Sequence, residues 1–427
     1  MEQGANNKTL SEWLEYIEAI HPKSIEFGLE RVWFVYQSLF PEGVPYPVIT
    51  VAGTNGKGSC CAYIESILQA SGKVTGKYTS PHLVRFNERI VVDNKIVSND
   101  FIISAFERIE SARKDIVLTY FEYTTLAAML VFADQAIEIG IVEVGLGGRL
   151  DAVNILDPIV SVITSIGIDH VDWLGNDREL IGLEKAAVAR SGRPCIVGEA
   201  NVPESVKQYL IEISALPKYI GNELEIVHFD EGWQIIEDGM SVFNVLPILK
   251  NNVDHQYRNA VCAILAVLNA NFDVNEDAII QGLHEVAVEG RCQLLSFQPL
   301  IVLDVAHNED SVLALREYIN QLSFTGRCYA VFSMLHDKDI NRCIDLIFDI
   351  VDEWHIAPLD LTRSSSVDEL NSAVNTIALC HKKKNHLVKS YRSIKEAFIK
   401  VKNVVNSDDC VIVFGSFHVV GDILSIN

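Results

Sequence analysis

The stretch Val48-Ile-Thr-Val-Ala-Gly-Thr-Asn-Gly-Lys-Gly-Ser59 decides the fold class of this 427-residue chain. Its β-branched beginning predicts a buried strand, its glycines predict a tight loop, and residues 59–70 read as a helix. A strand, a glycine-rich loop, a lysine, a hydroxyl and a helix in this order are typical of a phosphate-binding loop. Only two residues separate the first two glycines. This spacing is unusual, so an ordinary strand-to-helix turn remains the alternative.

On both sides of this stretch, strand and helix patterns alternate, which predicts an α/β protein with mainly parallel sheets. Further strands are expected at 140–144 and 159–166, and helices at 121–136 and 179–189. Shorter strand-like pieces around a Glu-Asp-Gly turn predict a small antiparallel section at 217–247.

The strand–helix rhythm restarts after Arg291, which predicts a second α/β domain. A weak linker signal at 293–299 places the junction there. The two domains are therefore expected to cover residues 1–295 and 296–427. The expected strands of the second domain lie at 300–305, 328–332, 353–357 and 410–414.

Charge and composition exclude several classes of partner. The formal net charge of -22 argues against nucleic-acid and anionic-membrane partners, because such binders carry a basic face. No apolar run approaches the roughly 18 residues that span a bilayer, and the polar N-terminus lacks a signal-peptide core. The nine cysteines are scattered without a C-x-x-C pair, which disfavours a zinc ribbon or a disulfide framework. We expect a reduced, cytoplasmic protein.

One carboxylate stands near the carboxyl end of the apolar run Ile141-Val-Glu-Val-Gly145. Ligands of open α/β sheets bind at this edge, so Glu143 is a candidate Mg²⁺ ligand beside the phosphate loop. A solvated strand-end glutamate is the alternative. The following Gly145-Leu-Gly-Gly148 does not complete a dinucleotide fingerprint, because Leu150 stands where the third glycine belongs.

Other candidate positions are ambiguous by themselves. Asp304 ends an apolar run and His307 follows three residues later, a plausible site that is also a common loop sequence. By themselves, His170 is more typical of a surface or capping histidine and Lys185 of a solvated helix lysine, and Ser80 could simply be part of a turn.

Taken together, these segments resemble the Mur ligase superfamily and, within it, the dihydrofolate synthase/folylpolyglutamate synthase family. The matching segments follow in the same order over almost the whole chain: Ala52-Gly-Thr-Asn-Gly-Lys-Gly-Ser59, Tyr78-Thr-Ser-Pro-His-Leu-Val-Arg-Phe-Asn-Glu-Arg89, Glu143-Val-Gly-Leu-Gly-Gly-Arg-Leu-Asp-Ala152, Thr164-Ser-Ile-Gly-Ile-Asp-His170, Asp172-Trp-Leu-Gly175, Glu184-Lys-Ala186, Asp304-Val-Ala-His-Asn308 and Phe414-Gly-Ser-Phe-His418. The resemblance implies a P-loop-type Mur ligase central domain, with a mainly parallel sheet and a small antiparallel section. A C-terminal Rossmann-like α/β domain would follow it.

The same resemblance implies the roles of individual residues. The catalytic residues would be Lys57, His170 and Lys185. The ATP site would comprise Asn55, Gly56, Lys57, Gly58, Ser59, Asn259, Arg291, Asp304 and His307. Two Mg²⁺ ions would be held by Ser59, Ser80, Glu143, His170 and Lys185, the last as a carbamate. A carbamate turns the lysine into an anionic oxygen donor, which suits a hard cation.

Two segments resemble the dihydropteroate-binding segments of bifunctional bacterial enzymes. The implied pteroate or folate site comprises Ser24, Ile25, Glu26, Phe27, Thr119, Tyr120, Phe121, Glu122 and Asp151. The implied reaction adds L-glutamate to 7,8-dihydropteroate and to tetrahydrofolate through an acyl phosphate, with ATP as co-substrate and a monomeric enzyme. The alternatives are a folylpolyglutamate synthase alone, a cell-wall amino-acid ligase, and a catalytically silent nucleotide-binding homologue.

Overall fold

The computed structural model describes residues 8–21, 26–221, 224–382 and 387–426. They form two α/β domains, each with its own sheet, and a three-stranded sheet that belongs to the first domain. The α/β class and the mainly parallel sheets that the sequence predicts are confirmed.

The first domain contains most of the described secondary structure. Its strands are β1 Val48–Ala52, β2 Thr75–Tyr78, β3 Ile90–Val92, β4 Lys95–Ile96, β5 Ile139–Glu143, β6 Val160–Ile163, β7 Pro194–Val197, β8 Leu216–Tyr219, β9 Leu224–Phe229, β10 Gly232–Glu237 and β11 Met240–Ser241. Its helices are α1 Leu10–Ile20, α2 Glu30–Leu39, α3 Lys57–Ala70, α4 Asn99–Arg113, α5 Tyr120–Asp134, α6 Val171–Leu174, α7 Arg178–Ala186, α8 Glu204–Glu212, α9 Asp254–Asn269 and α10 Glu276–Glu285. Short 3-10 turns span Phe86–Arg89 and Ala152–Ile155.

The first sheet has the strand order β4-β3-β2-β5-β1-β6-β7-β8, and only β3 and β4 run antiparallel to their neighbours. Strand β1 is buried throughout and pairs in parallel with β5 and β6. The carboxyl ends of these three strands therefore meet at one edge, where the phosphate loop begins and Glu143 ends β5.

The predicted antiparallel section is confirmed for β9, β10 and β11, which form the separate small sheet. Strand β8 overlaps the start of the predicted range but pairs in parallel with β7 at the edge of the first sheet. Helix α3 packs between the first sheet and helices α9 and α10, so the residue that starts α3 is held by a rigid core.

The second domain is built on a six-stranded sheet with the order β12-β13-β17-β14-β15-β16. Its strands are β12 Gln293–Phe297, β13 Leu300–Leu303, β14 Cys328–Phe332, β15 Glu353–Ile356, β16 Leu387–Ser390 and β17 Cys410–Phe414. Its helices are α11 Glu309–Gln321, α12 Ile340–Ile347, α13 Val367–Cys380, α14 Ile394–Lys402 and α15 Phe417–Leu424. Only β12 is antiparallel, so the domain has the Rossmann-like α/β arrangement.

The linker predicted at 293–299 is instead a hairpin, because β12 hydrogen-bonds to β13 within the second sheet. A boundary after residue 295 would divide a strand. We therefore propose that the second domain begins near Gly290. In the described part of the chain, no helix combines the length and apolar character needed to cross a membrane.

Candidate active site

The loop between β1 and α3 has backbone conformations that require glycine. Gly53 has φ +150°, and a Cβ there would lie 1.9 Å from Thr164 Oγ1. Gly56 has φ +83°, and a Cβ there would lie 2.3 Å from Asn259 Oδ1. Both positions let the backbone turn closely under the first residues of α3, which begins without a side-chain cap. A helix start of this kind favours an anion.

The loop is tied to the neighbouring strand end. The Asn55 N–H donates to Ser165 Oγ at 2.9 Å, and the Thr164 hydroxyl donates to the Asn55 carbonyl at 2.6 Å. Lys57 Nζ donates to the carbonyls of Gly53 and Thr54 at 3.0 and 3.2 Å. The lysine thus places its charge directly over the loop, where phosphate oxygens would lie.

Glu143 is buried at the end of β5 and accepts a 3.1 Å hydrogen bond from the Ser80 N–H. Burial raises the pKa of this carboxyl, and Lys57 and the Ser80 N–H oppose that shift. The Ser59 hydroxyl is also buried and lies 3.4 Å from Gln256 Nε2. The Oε1 of Gln256 and the Nδ2 of Asn259 are buried without a hydrogen-bond partner among the described residues.

This donor set fits a magnesium nucleotide. Mg²⁺ in proteins usually takes one or two carboxylates and hydroxyls, with phosphate and water completing its shell. No cluster of three or more His, Cys, Asp or Glu side chains that could hold a metal is found among the residues described by the structure. The unsatisfied amide atoms of Gln256 and Asn259 are polar groups for which a bound ligand would supply partners.

Lys185 lies on α7, which packs against the glycine loop after β5. A Cβ on Gly148 would lie 2.3 Å from the Glu184 carbonyl and 3.1 Å from Lys185 Cα. Lys185 is almost fully buried, and burial followed by the charge of Lys57 lowers its pKa to about 7. Much of this amine is therefore uncharged near neutral pH, which is uncommon for lysine.

His170 caps α6 in a left-handed conformation, with φ +53°. Its side chain is accessible to solvent. Partial desolvation by the surrounding protein is the largest cause that lowers the pKa of His170 to about 4, and the positive charge of Lys338 is the next. The imidazole is neutral at pH 7, the form that binds a metal.

The second domain contributes Arg291, Asp304 and His307. Asp304 accepts hydrogen bonds from the N–H groups of Cys292 and Ala306, each at 2.7 Å. Burial lowers the pKa of Arg291 and raises that of Asp304, and the attraction between the two groups opposes both shifts. Arg291 also lies over the Phe417 ring, 4.9 Å from its centroid.

The two domains meet at Asp169, a residue to which the sequence assigns no role of its own. Lys338 Nζ of the second domain pairs with Asp169 Oδ1 at 2.5 Å, and each side chain is only 8% exposed. Asn308 Nδ2 donates to Asp169 Oδ2 at 2.9 Å, and the side-chain amides of Asn308 and Asn55 exchange two hydrogen bonds of 3.1 Å. His307 Nε2 lies 3.4 Å from Asp169 Oδ2.

Of the first implied pteroate segment, Ser24 and Ile25 lie outside the described residues. Glu26 and Phe27 are described, and Phe27 packs edge-on against Trp173 with the ring centroids 5.6 Å apart. Arg31 connects the two segments, because it lies 3.7 Å from the Glu26 carboxylate and 3.1 Å from that of Glu122.

In the second segment, Thr119 and Glu122 form the capping box that starts α5. Phe121 packs against Gly145, where a Cβ would lie 2.5 Å from the ring. Asp151 is buried nearby and accepts hydrogen bonds from the N–H groups of Leu146 and Val153 at 2.9 and 3.0 Å. Burial raises the pKa of Asp151 to about 6.

A phosphate loop, a buried strand-end glutamate and a second α/β domain that contacts the loop are the arrangement expected of an ATP-dependent ligase of the Mur class. Two family models agree with this: residues 51–194 match the Mur ligase middle domain, and residues 290–417 match the glutamate ligase domain of Mur ligases. Within that class, the chain belongs to the dihydrofolate synthase/folylpolyglutamate synthase family.

The family assignment rests on matches over nearly the whole chain. The dihydrofolate synthase/folylpolyglutamate synthase of Escherichia coli K12 is 40% identical over 98% of this chain and 95% of its own length. The solved structure of E. coli FolC in complex with DHPP and ADP has a TM-score of 0.91 at 39% identity, covering 98% of both chains. A bifunctional folylpolyglutamate synthase/dihydrofolate synthase solved with Mn, AMPPNP and L-glutamate has a TM-score of 0.90 at 37% identity, again covering 98% of both chains.

Proposed function

We propose that this protein adds L-glutamate to 7,8-dihydropteroate and to tetrahydrofolate, with ATP cleaved to ADP and phosphate. The observation that carries the proposal is that the second domain reaches the phosphate loop: Asn308 hydrogen-bonds to Asn55, and the charge of Arg291 acts on the buried Glu143. The ADP, AMPPNP, DHPP and L-glutamate bound in the similar structures support the same substrates here.

In this proposal the nucleotide phosphates lie on Gly56 to Ser59, and Lys57 moves from the loop carbonyls to a phosphate oxygen. The remaining nucleotide contacts come from Asn55, Asn259, Arg291, Asp304 and His307. Asn259 is well placed for this role, because its buried Nδ2 lacks a described partner and it adjoins Gly56.

Ser59, Ser80 and Glu143 would hold one Mg²⁺, and His170 and carbamylated Lys185 would hold a second. The ions would neutralise charge on the transferred phosphoryl group. The lowered pKa of Lys185 supports the carbamate, because only an uncharged amine adds CO₂. The surroundings also favour the modification. The negative charge of a carbamate would be balanced by Lys57 and the metal, whereas a protonated Lys185 would place a second positive charge beside them.

The acceptor would lie along Glu26, Phe27, Thr119 to Glu122 and Asp151, with Ser24 and Ile25 completing the site. Aromatic rings suit a flat pterin, and carboxylates accept hydrogen bonds from its ring N–H groups. The hydrogen bonds of Thr119 and Glu122 within the helix cap fix the start of α5, which positions Tyr120 and Phe121.

The reaction needs positioned reactants more than a protein nucleophile. The acceptor carboxylate oxygen bonds to the γ-phosphorus, and the bond to the ADP oxygen breaks. The uncharged amine of L-glutamate then attacks the acyl carbon, phosphate leaves, and the amine proton passes to solvent or phosphate. Contacts such as Lys338 with Asp169 hold the domains together, which keeps water from the acyl phosphate.

The decisive experiment measures L-glutamate-dependent ADP release with 7,8-dihydropteroate and with tetrahydrofolate. Release with both acceptors is expected. Release with tetrahydrofolate alone would leave a folylpolyglutamate synthase, and ATP binding without release would indicate the silent homologue. Lys57→Ala should abolish release by removing the phosphate contact, and near-normal turnover in that variant would contradict the assigned role. A monomeric state and a cytoplasmic location remain predictions.

A further inference from the structure

Arg89 carries a positive charge beside the proposed metal site and has no role in the function proposed above. It ends the 3-10 turn before β3, and its carbonyl accepts a 3.0 Å hydrogen bond from the Thr79 N–H. The next residue, Ser80, donates its N–H to Glu143. The backbone of Arg89 is therefore anchored one residue from the segment that binds the strand-end glutamate.

The guanidinium of Arg89 is held by aromatic packing and one hydrogen bond. Its Cζ lies 5.6 Å from the ring centroids of both Phe86 and Tyr120, and its Nε donates to His82 Nδ1 at 2.9 Å. These contacts orient the planar group while leaving its two terminal nitrogens available. Within the described ranges, no carboxylate lies at ion-pair distance from this half-buried side chain.

The groups in contact with Arg89 respond to its position and charge. The hydrogen bond from Arg89 Nε requires His82 Nδ1 to be an unprotonated acceptor. Burial raises the pKa of Tyr120 to about 12, and Arg89 opposes that rise.

A half-buried guanidinium that has no carboxylate partner and whose terminal nitrogens are available can bind an anionic ligand. Its fork of N–H donors matches a carboxylate, and charge-assisted pairs of this kind are strong. The acceptor carboxylate that reacts is a poor candidate, because a fixed cation bound to it would stabilise the ground state and weaken it as a nucleophile. Glutamate carboxylates that do not react keep their charge throughout.

We propose that Arg89 binds a free carboxylate of a glutamate, either of the incoming L-glutamate or of the terminal glutamyl residue of a folate acceptor. The inference rests on the proposed function, since that function supplies these ligands. The two sources are separable because dihydropteroate contains no glutamate. An anchor for incoming L-glutamate acts in both reactions, whereas an anchor for the acceptor acts only with tetrahydrofolate.

The test compares Arg89→Gln and Arg89→Lys with the wild type. The charge control is Arg108→Gln, since Arg108 is an exposed residue of α4 that pairs with Asp134 at 2.8 Å. Steady-state KM values are measured for L-glutamate and for both acceptors. Calorimetry measures binding of L-glutamate and of tetrahydrofolate in the presence of a non-hydrolysable ATP analogue, and ADP affinity checks that the nucleotide site is intact.

Arg89→Gln should raise one KM by about 10- to 100-fold, the loss expected for a charge-assisted hydrogen bond, with ADP affinity unchanged. Either the KM for L-glutamate rises in both reactions, or the KM for tetrahydrofolate rises while the dihydropteroate reaction is preserved. The calorimetric affinity for the same ligand should fall in parallel. Arg89→Lys should show a smaller increase, because it keeps the charge and loses the fork.

An unchanged KM for both glutamate-bearing ligands would overturn the inference. So would an increase confined to dihydropteroate, which would indicate lost aromatic packing, or an equal fall of kcat with every substrate. If the wild type itself releases no ADP with either acceptor, the proposed function fails. If the wild type is active and Arg89→Gln matches Arg108→Gln, only the role of Arg89 fails.

Discussion

Replacing Lys338 by methionine should destabilise the protein strongly, because it leaves the Asp169 carboxylate without its cation inside the contact between the two domains. Each partner is only 8% exposed. Burial acts to raise the pKa of Asp169, but hydrogen bonding and charge from His307, with the charge of Lys338, hold it well below its usual range. The carboxylate is therefore ionised at neutral pH in the wild type, and the variant must hold it in the same buried contact without the charge of Lys338.

The magnitude follows from the partners that remain. Removing one member of a buried ion pair costs about 3–5 kcal/mol. Asp169 would keep the Asn308 amide at 2.9 Å and His307 at 3.4 Å, so the lower end of that range is expected, about 3 kcal/mol. A double-mutant cycle with Asp169→Asn should give a coupling energy of about 2 kcal/mol.

The free energies of unfolding are measured by urea denaturation, and the differences between variants are calculated from the midpoints with one common m-value. The matched control is the cycle for Lys73 and Glu138, a pair with a 3.1 Å contact whose side chains are 29% and 42% exposed. Its coupling should be about 0–1 kcal/mol, as for other surface pairs. A Lys338–Asp169 coupling no larger than this control would refute the argument that burial makes the interdomain pair strong.

Three further results are expected. Gly56→Ala should weaken ADP binding at least 10-fold by calorimetry, because the new Cβ would meet Asn259 Oδ1 at 2.3 Å. The control is Gly72→Ala, which has a similar φ of +82° but open space around it and should bind ADP normally. The pKa of Lys185 is about 7, so its amine becomes uncharged as the pH rises through 7 and can then form the carbamate. Added bicarbonate should therefore increase the activity of the wild type, and the increase should grow as the pH rises through 7. Lys185→Arg should show neither response. The pKa of Asp151 is about 6, so the affinity for dihydropteroate should fall as the pH drops through 6, because protonation removes the charge that accepts the hydrogen bond. Fluorescence titration should show that Asp151→Asn binds dihydropteroate weakly and with an affinity independent of pH. An unchanged affinity in this variant would argue against the contact.

Local patterns in the sequence predict the phosphate loop and Glu143 because strand, loop and helix follow one another within a few residues. The start of α3 lies at Lys57, two residues before the predicted helix, because Gly56 already turns the chain into the first helical residue. Helix α5 begins one residue before the predicted start, where Thr119 and Glu122 complete a capping box. Helix α9 is not among the predicted helices, and the structure shows that it is buried over most of its length.

Contacts between distant segments could not be predicted in the same way. Asp169 and Lys338 are separated by 169 positions, and neither sequence neighbourhood shows that the two charges share one buried contact. Arg89 appears in the sequence as one of two arginines in a loop; only the packing of Phe86 and Tyr120 distinguishes it from the exposed Arg85. The order of strands in each sheet is likewise a property of tertiary pairing, not of any single strand.

The position of β17 has a consequence for synthesis of the chain. This strand, Cys410–Phe414, lies between β13 and β14 in the second sheet although it comes after the other five strands of that sheet in the described chain. The first domain can fold while translation continues, as N-terminal domains generally do. The second sheet, by contrast, remains open in the middle until Cys410–Phe414 have left the ribosome. A nascent chain that stops before Cys410 would expose two unpaired strand edges, so we expect truncated products to be removed by proteolysis rather than to persist as partly active ligase.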